Sequence, residues 1–119
     1  MSGTQQTAFG GSRRQVIAAN ATGAATAINL NWLQTPFNAS FIADLSSASG
    51  VTYSVQYTYD DLNDAGITSP TWLTDSVANA ATETKSNSYT APIKFLRLNV
   101  GTAGTGTIYF TVLQGMNAE

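Results

Sequence analysis

The sequence predicts an all-β domain. The expected architecture is an antiparallel β-sandwich, jelly-roll-like, of seven to eight short strands behind a flexible N-terminal arm. Three observations carry this expectation. Val51 to Tyr59 alternates apolar and polar residues without a fault, as a strand with one dry face and one wet face does. Short apolar runs recur along the rest of the chain, separated by turns rich in Gly, Ser, Asn and Pro. No stretch sustains the spacing of an amphipathic helix.

The elements follow in order. Residues 1–13 are Gly-, Ser-, Thr- and Gln-rich and read as the flexible arm, with Phe9 as its large apolar residue. Residues 14–119 form the sandwich domain. Arg14 to Ala19 is a first strand, ended by the turn Asn20-Ala-Thr-Gly23. Ala27 to Leu33 alternates again, with Ile28, Leu30 and Trp32 on one face, and stops at Thr35-Pro36. Ala39 to Leu45 is a third strand, and Ser46 to Gly50 turns the chain into the fourth, Val51 to Tyr59. Asp60 to Thr71 lacks a strand pattern and reads as a long loop. Trp72-Leu73 is a short apolar piece, and Val77 to Ala81 is either a helical turn or an irregular crossing. Ser86 to Tyr89 leads into Pro92. Ile93 to Val100 and Thr107 to Leu113 are strands joined by the Gly/Thr turn Gly101 to Gly106, which predicts a hairpin.

Composition narrows the function. At 119 residues the chain is a single domain able to bury a modest core. Charged residues make up 10% of it, against about 25% in ordinary soluble domains. Thr, Ser, Asn and Ala take their place, giving a surface that costs little to desolvate and suits packing against protein. The net charge is −2, and the five cations, Arg13, Arg14, Lys85, Lys94 and Arg97, make no basic stripe. A nucleic-acid partner is therefore not expected. There is no Cys, hence no disulfide framework, and no His, hence neither the commonest general base nor the commonest transition-metal ligand. No apolar run is long enough to span a membrane as a helix, and no signal-peptide pattern opens the chain. Synthesis and retention in a cytosol are expected, with no membrane partner.

Candidate chemistry is sparse. Asp60, Asp61 and Asp64 form the acidic cluster, but the calcium-loop pattern fails, since Ala65 and Trp72 fall where ligands are needed. Asx turns explain these residues better. The same three carboxylates are too close in sequence to bracket a sugar, and Asp44, Asp75 and Glu83 stand apart. A Ser–Lys pair using Lys85 or Lys94 lacks any accompanying nucleophile-elbow pattern. Gly101 to Gly106 lacks the Gly-Lys-Ser/Thr ending of a phosphate loop. Trp32, Trp72, Tyr53, Tyr57 and Tyr59 could form a sugar-stacking platform, yet strict alternation assigns the tyrosines to the core. No catalytic residue, metal or cofactor is expected, and the chain does not read as an enzyme.

Several phrases carry a resemblance. Val55-Gln-Tyr-Thr-Tyr-Asp-Asp61, Pro70-Thr-Trp72, Ala91-Pro-Ile93, Leu96-Arg-Leu-Asn-Val100 and Thr111-Val-Leu-Gln-Gly115 resemble the decoration, or cement, proteins of tailed-phage heads. The similarity covers roughly residues 51–115. It implies a structural virion protein on the capsid exterior, assembled in the host cytoplasm. It also implies a homotrimer that ties neighbouring copies of the major capsid protein together and stabilises the shell. Phe9, Arg13 and Arg14 of the arm are the expected coat-protein contacts, and loop residues Asp60, Asp61 and Asp64 are the alternative. The competing expectation is a carbohydrate-binding or host-attachment module of a phage fibre or tail.

Overall fold

The computed structural model describes residues 13–33 and 36–114, with Arg13 described by its backbone alone. The strands are β1 (Arg13–Ala19), β2 (Gly23–Ala24), β3 (Ile28–Asn29), β4 (Ala39–Asp44), β5 (Ala48–Ser49), β6 (Thr52–Thr58), β7 (Leu73–Thr74), β8 (Lys85–Tyr89), β9 (Phe95–Thr102), β10 (Thr105–Gly106) and β11 (Ile108–Gln114). The first sheet has the order β1-β11-β4-β8. The second has the order β2-β9-β6-β7, with β3 also paired to β9, and all pairings are antiparallel. The chain switches sheet at most connections, which is the winding of a jelly roll.

Alternation builds the core. Ala39, Phe41 and Ala43 of β4 and Ile108, Phe110 and Val112 of β11 point inward. They pack in one cluster with Tyr53 and Val55 of β6 and Leu96, Leu98 and Val100 of β9. Aromatic rings bridge the layers at one end. Phe110 and Phe41 lie 5.7 Å apart by centroid, Phe41 and Tyr89 6.3 Å, and Tyr89 and Tyr57 5.5 Å. Such tilted pairs add attraction beyond the area they bury.

The expected hairpin between the last two strands is not formed. Strand β9 lies in one sheet and β11 in the other. The turn between them is held against a second turn, Ser47 to Gly50, through the β5–β10 ladder. Glycine permits this approach. A Cβ on Gly104 would sit 2.1 Å from the Ser49 carbonyl oxygen, and one on Gly106, at φ +87°, 2.0 Å from that of Ser47. The two backbones meet where side chains cannot, so the chain turns a corner instead of doubling back.

Two other expectations shift. The alternation of Val51 to Tyr59 holds through Val55 and then reverses, leaving Thr58 buried and Tyr59 exposed. Thr58 is drawn inward because its hydroxyl accepts the Asp60 N–H at 3.0 Å and its carbonyl accepts the Lys94 N–H at 3.0 Å. Strand β8 was not legible, because its outward positions are serines and its inward ones are Lys85, Asn87 and Tyr89.

What holds β8 is a buried carboxyl. Asp75 is 2% exposed. Its Oδ2 accepts the N–H groups of Val77 and Ala78, both at 3.0 Å. Its Oδ1 accepts the Asn87 Nδ2–H at 2.9 Å and the Tyr89 hydroxyl. The Asp75 N–H in turn donates to Val55 O at 2.8 Å. Asp75 thus ties the margin of the second sheet to the edge strand of the first. Gln114 does similar work at the end of β11. Its side-chain amide accepts from Asn31 N at 2.8 Å and donates to Asn31 O at 2.9 Å, as a strand neighbour would.

Replacing Asp75 with Ala strands four donors, so it should cost about 3 kcal/mol or more in urea unfolding. Alkaline stability should also fall. Burial pushes the Tyr53 hydroxyl up to about 12, with the Glu83 charge adding to it. Burial, then the hydrogen bond to Asp75, raises Tyr89 further. Above about pH 10 an unfolded tyrosine loses its proton while Tyr53 in the fold keeps it. Deprotonation therefore favours the unfolded chain, and stability should decline from about pH 10 to about pH 12. A Tyr53→Phe variant should show a shallower decline in denaturant titrations across that range.

Candidate functional site

The outer face of the first sheet is a grid set by strand register. Arg14, Leu113, Ser40 and Ser88 form one row, and Val16, Thr111, Ile42 and Ser86 the next. Ala18, Tyr109 and Asp44 form the third. Four large apolar side chains stand on this face partly in water: Val16 at 41% exposure, Ile42 at 39%, Tyr109 at 41% and Leu113 at 44%. Serines lie between them, and small residues beside large ones leave a groove of about 450 Å³. Arg14, Ser40, Ile42, Ser86, Ser88 and Leu113 line it.

Charge is confined to the margins of the grid. Arg14 sits at one corner and makes no ion pair among the described residues. Asp44 lies in the far row, where the Ser46 N–H, donating at 2.9 Å, holds its carboxyl below the usual value. An apolar, hydroxyl-bearing surface with charge only at Arg14 and Asp44 leaves few charges for a protein partner to match on desolvation.

The second sheet turns a different face outward. Arg97 donates through Nε to Gln56 Oε1 at 2.8 Å, and its guanidinium lies 4.0 Å from the centre of the Trp72 ring. Burial lowers the Arg97 pKa. Nearby, the Lys94 ammonium lies 4.2 Å from the Trp32 ring centre and 3.9 Å from Asp61 Oδ2. Each indole thus has a cation of the same chain against one face, although Trp32 remains 44% exposed. Tyr53 is buried, with its hydroxyl donating to Glu83 O at 2.8 Å. Tyr59 is exposed and meets Tyr57 edge-on at 6.0 Å. These rings do not assemble into an open platform.

The acidic loop is occupied with its own backbone. Asp60 Oδ2 accepts the Thr71 N–H at 2.6 Å, Asp61 Oδ1 that of Asn63 at 3.0 Å, and Asp64 Oδ1 that of Gly66 at 2.9 Å. The Asp61 and Asp64 contacts are the Asx turns expected of such residues, and Asp60 ties the two ends of the loop together. Among the described residues no three acidic side chains gather as a cation site. The lysines weighed as partners of a serine nucleophile each face a carboxylate, Lys85 at 3.7 Å from Glu83 and Lys94 at 3.9 Å from Asp61.

Of the expected contact residues, Arg14 lies on the apolar grid. Phe9 and the Arg13 side chain lie outside the described residues. Asp60, Asp61 and Asp64 belong to the loop that follows β6 in the other sheet. The four apolar residues of the grid were not singled out from the sequence. Their signal was present in Ile108 to Leu113, where apolar residues occupy both faces of a strand instead of alternating.

No protein-family model matches this chain, and no curated protein matches it. Among solved structures it is similar to one described as "Bacillus endospore appendages form a novel family of disulfide-linked pili". The identity is 14% over 98% of each chain, with a TM-score of 0.38. A likeness that faint says nothing about role.

Proposed function

We propose that this chain is a structural protein that adheres to other protein subunits through the outer face of its first sheet. We further propose that its target is the outside of an assembled phage head. The observation that carries adhesion is the grid itself: Val16, Ile42, Tyr109 and Leu113 on one sheet face, with Arg14 at its corner. Large apolar side chains gathered on a sheet face commonly mark contact with another protein. The matching surface carries an apolar ridge that fills the groove and a carboxylate opposite Arg14.

The phage-head assignment draws on the resemblance of residues 51–115 to decoration proteins. A protein that binds the assembled lattice but not its free subunits adds its binding energy to the stability of the shell. Arg14, on this face, directly follows the arm in sequence. The carbohydrate-binding alternative draws less support from Trp72 and Trp32, since Arg97 and Lys94 already lie against one face of each ring.

The test compares two variants on purified heads, with occupancy read by co-sedimentation. An Ile42→Asp/Leu113→Asp pair should lower affinity about tenfold or more while its unfolding midpoint is kept, because both side chains are already partly exposed. An Asp60→Ala/Asp61→Ala/Asp64→Ala triple should bind like the parent. Undiminished occupancy by the first variant would refute the docking face.

A further inference from the structure

Each sheet ends in edge strands, and they are not equally guarded. In the second sheet β2, β3 and β7 are two residues long, too short to template another strand. In the first sheet β8 sets Lys85 at an inward-facing position, opposite buried Ala43, and its Asn87 and Tyr89 are held by Asp75. An inward charge at a margin is a known protection against edge pairing. Among the described residues, the other margin, β1, shows none of these devices over its central positions. It runs for seven residues, pairs with β11 in unbroken register, and contains neither Pro nor Gly. Arg14, Val16 and Ala18 along it are exposed.

We infer that β1 is a self-association edge, pairing antiparallel with β1 of a second copy about a two-fold axis at Val16. The sequence of β1 is complementary to itself in that register. Arg13 and Arg14 of one copy oppose Ala19 and Ala18 of the other, Gln15 opposes Ile17, and Val16 opposes Val16. The two arginine pairs lie at opposite ends of the ladder. The Arg14 residues are four positions apart along it, about 14 Å, beyond the screening length at physiological salt. A parallel pairing in register would set like charges side by side, which is unfavourable. Each Arg14 stem instead lies across from a small alanine, and Val16 packs on Val16 at the centre.

The pairing joins two four-stranded sheets into one of eight strands. It also makes the two apolar grids continuous, since Val16 and Ala18 belong to both the edge and the grid. The contact is smaller than the roughly 800 Å² per partner of a stable interface, so the dimer should dissociate at about 10 μM to 1 mM. A two-fold pair also differs from the trimer that the decoration-protein resemblance implies, and mass separates the two.

The test uses the isolated chain without heads, so its outcome bears on this edge and not on the proposed target. Light scattering across that concentration range should rise from the mass of one chain towards that of two. The parent has no cysteine, so a single Val16→Cys substitution reports copy-to-copy contact directly. Opposed residues of an antiparallel pair have Cα atoms about 4.5–5.5 Å apart, within disulfide reach. Under mild oxidation Val16→Cys should form covalent dimers at least about tenfold faster than Thr82→Cys, placed at an exposed position ahead of β8. A Val16→Asp variant, with like charges opposed on the axis, should stay at one chain with its unfolding midpoint kept. A mass that stays at one chain or climbs to three overturns the pairing. So does cross-linking by Val16→Cys no faster than the control.

Discussion

The margin of this sandwich depends on the buried Asp75 carboxyl. Its hydrogen bonds run to the backbone of the turn that follows it and to side chains on β8. Without it, β8 keeps its ladder to β4 and the Tyr89 ring against Phe41 and Tyr57, but its serines, Lys85 and Asn87 bring it little other apolar burial. A chain without disulfides must place such a strand by hydrogen bonds that are fully satisfied, since a half-satisfied buried network is worse than none. Asp75 meets that condition on both oxygens. Gln114 meets it on β11, in the same row of the sheet as Tyr89, by imitating a strand neighbour for Asn31. The first sheet is thereby held flat against the second, and its outer grid is presented as a defined surface.

The two outer faces differ in how far the chain itself satisfies their groups. On the second sheet, polar and aromatic groups satisfy one another within the chain: Arg97 with Trp72 and Gln56, Lys94 with Trp32 and Asp61. Those groups are already paired within the chain, although Leu73 and Tyr59 stand partly in water beside them. On the first sheet the apolar groups and Arg14 have no such internal partners among the described residues. Burying them against another protein gains on the order of 25 cal/mol for each Å² of apolar surface removed from water. The asymmetry between the faces, more than either face alone, gives the molecule a direction.

Much of the fold was legible in the sequence because alternation is a direct image of burial. Thr52 to Val55 carries it cleanly, and the inward residues of Ala39 to Asp44 and Ile108 to Val112 follow it although Ile42 and Tyr109 put large apolar groups on the other face; together they supply a large part of the core. What the sequence hid was governed by polar groups or by backbone. Strand β8 has no apolar pattern to read, and Asp75 looked isolated because its partners lie up to fourteen residues away. The corner between β9 and β11 depends on Gly104 and Gly106 pressing on a turn over fifty residues earlier, which no local pattern encodes. The grid was half legible. Apolar residues on both faces of β11 announced a surface that does not stay wet, but the register that gathers Val16, Ile42 and Leu113 exists only in the sheet.

The account stands on the outer face of the first sheet being the surface that meets other subunits. Hydroxyl-radical footprinting of the protein free and bound to assembled heads reads this directly, side chain by side chain. Val16, Ile42, Tyr109 and Leu113 should lose most of their reactivity on binding, while Tyr59 and Val77, exposed elsewhere, keep theirs. Protection of Tyr59 or Val77 with the four grid residues unchanged would place the contact on another part of the molecule and contradict the account.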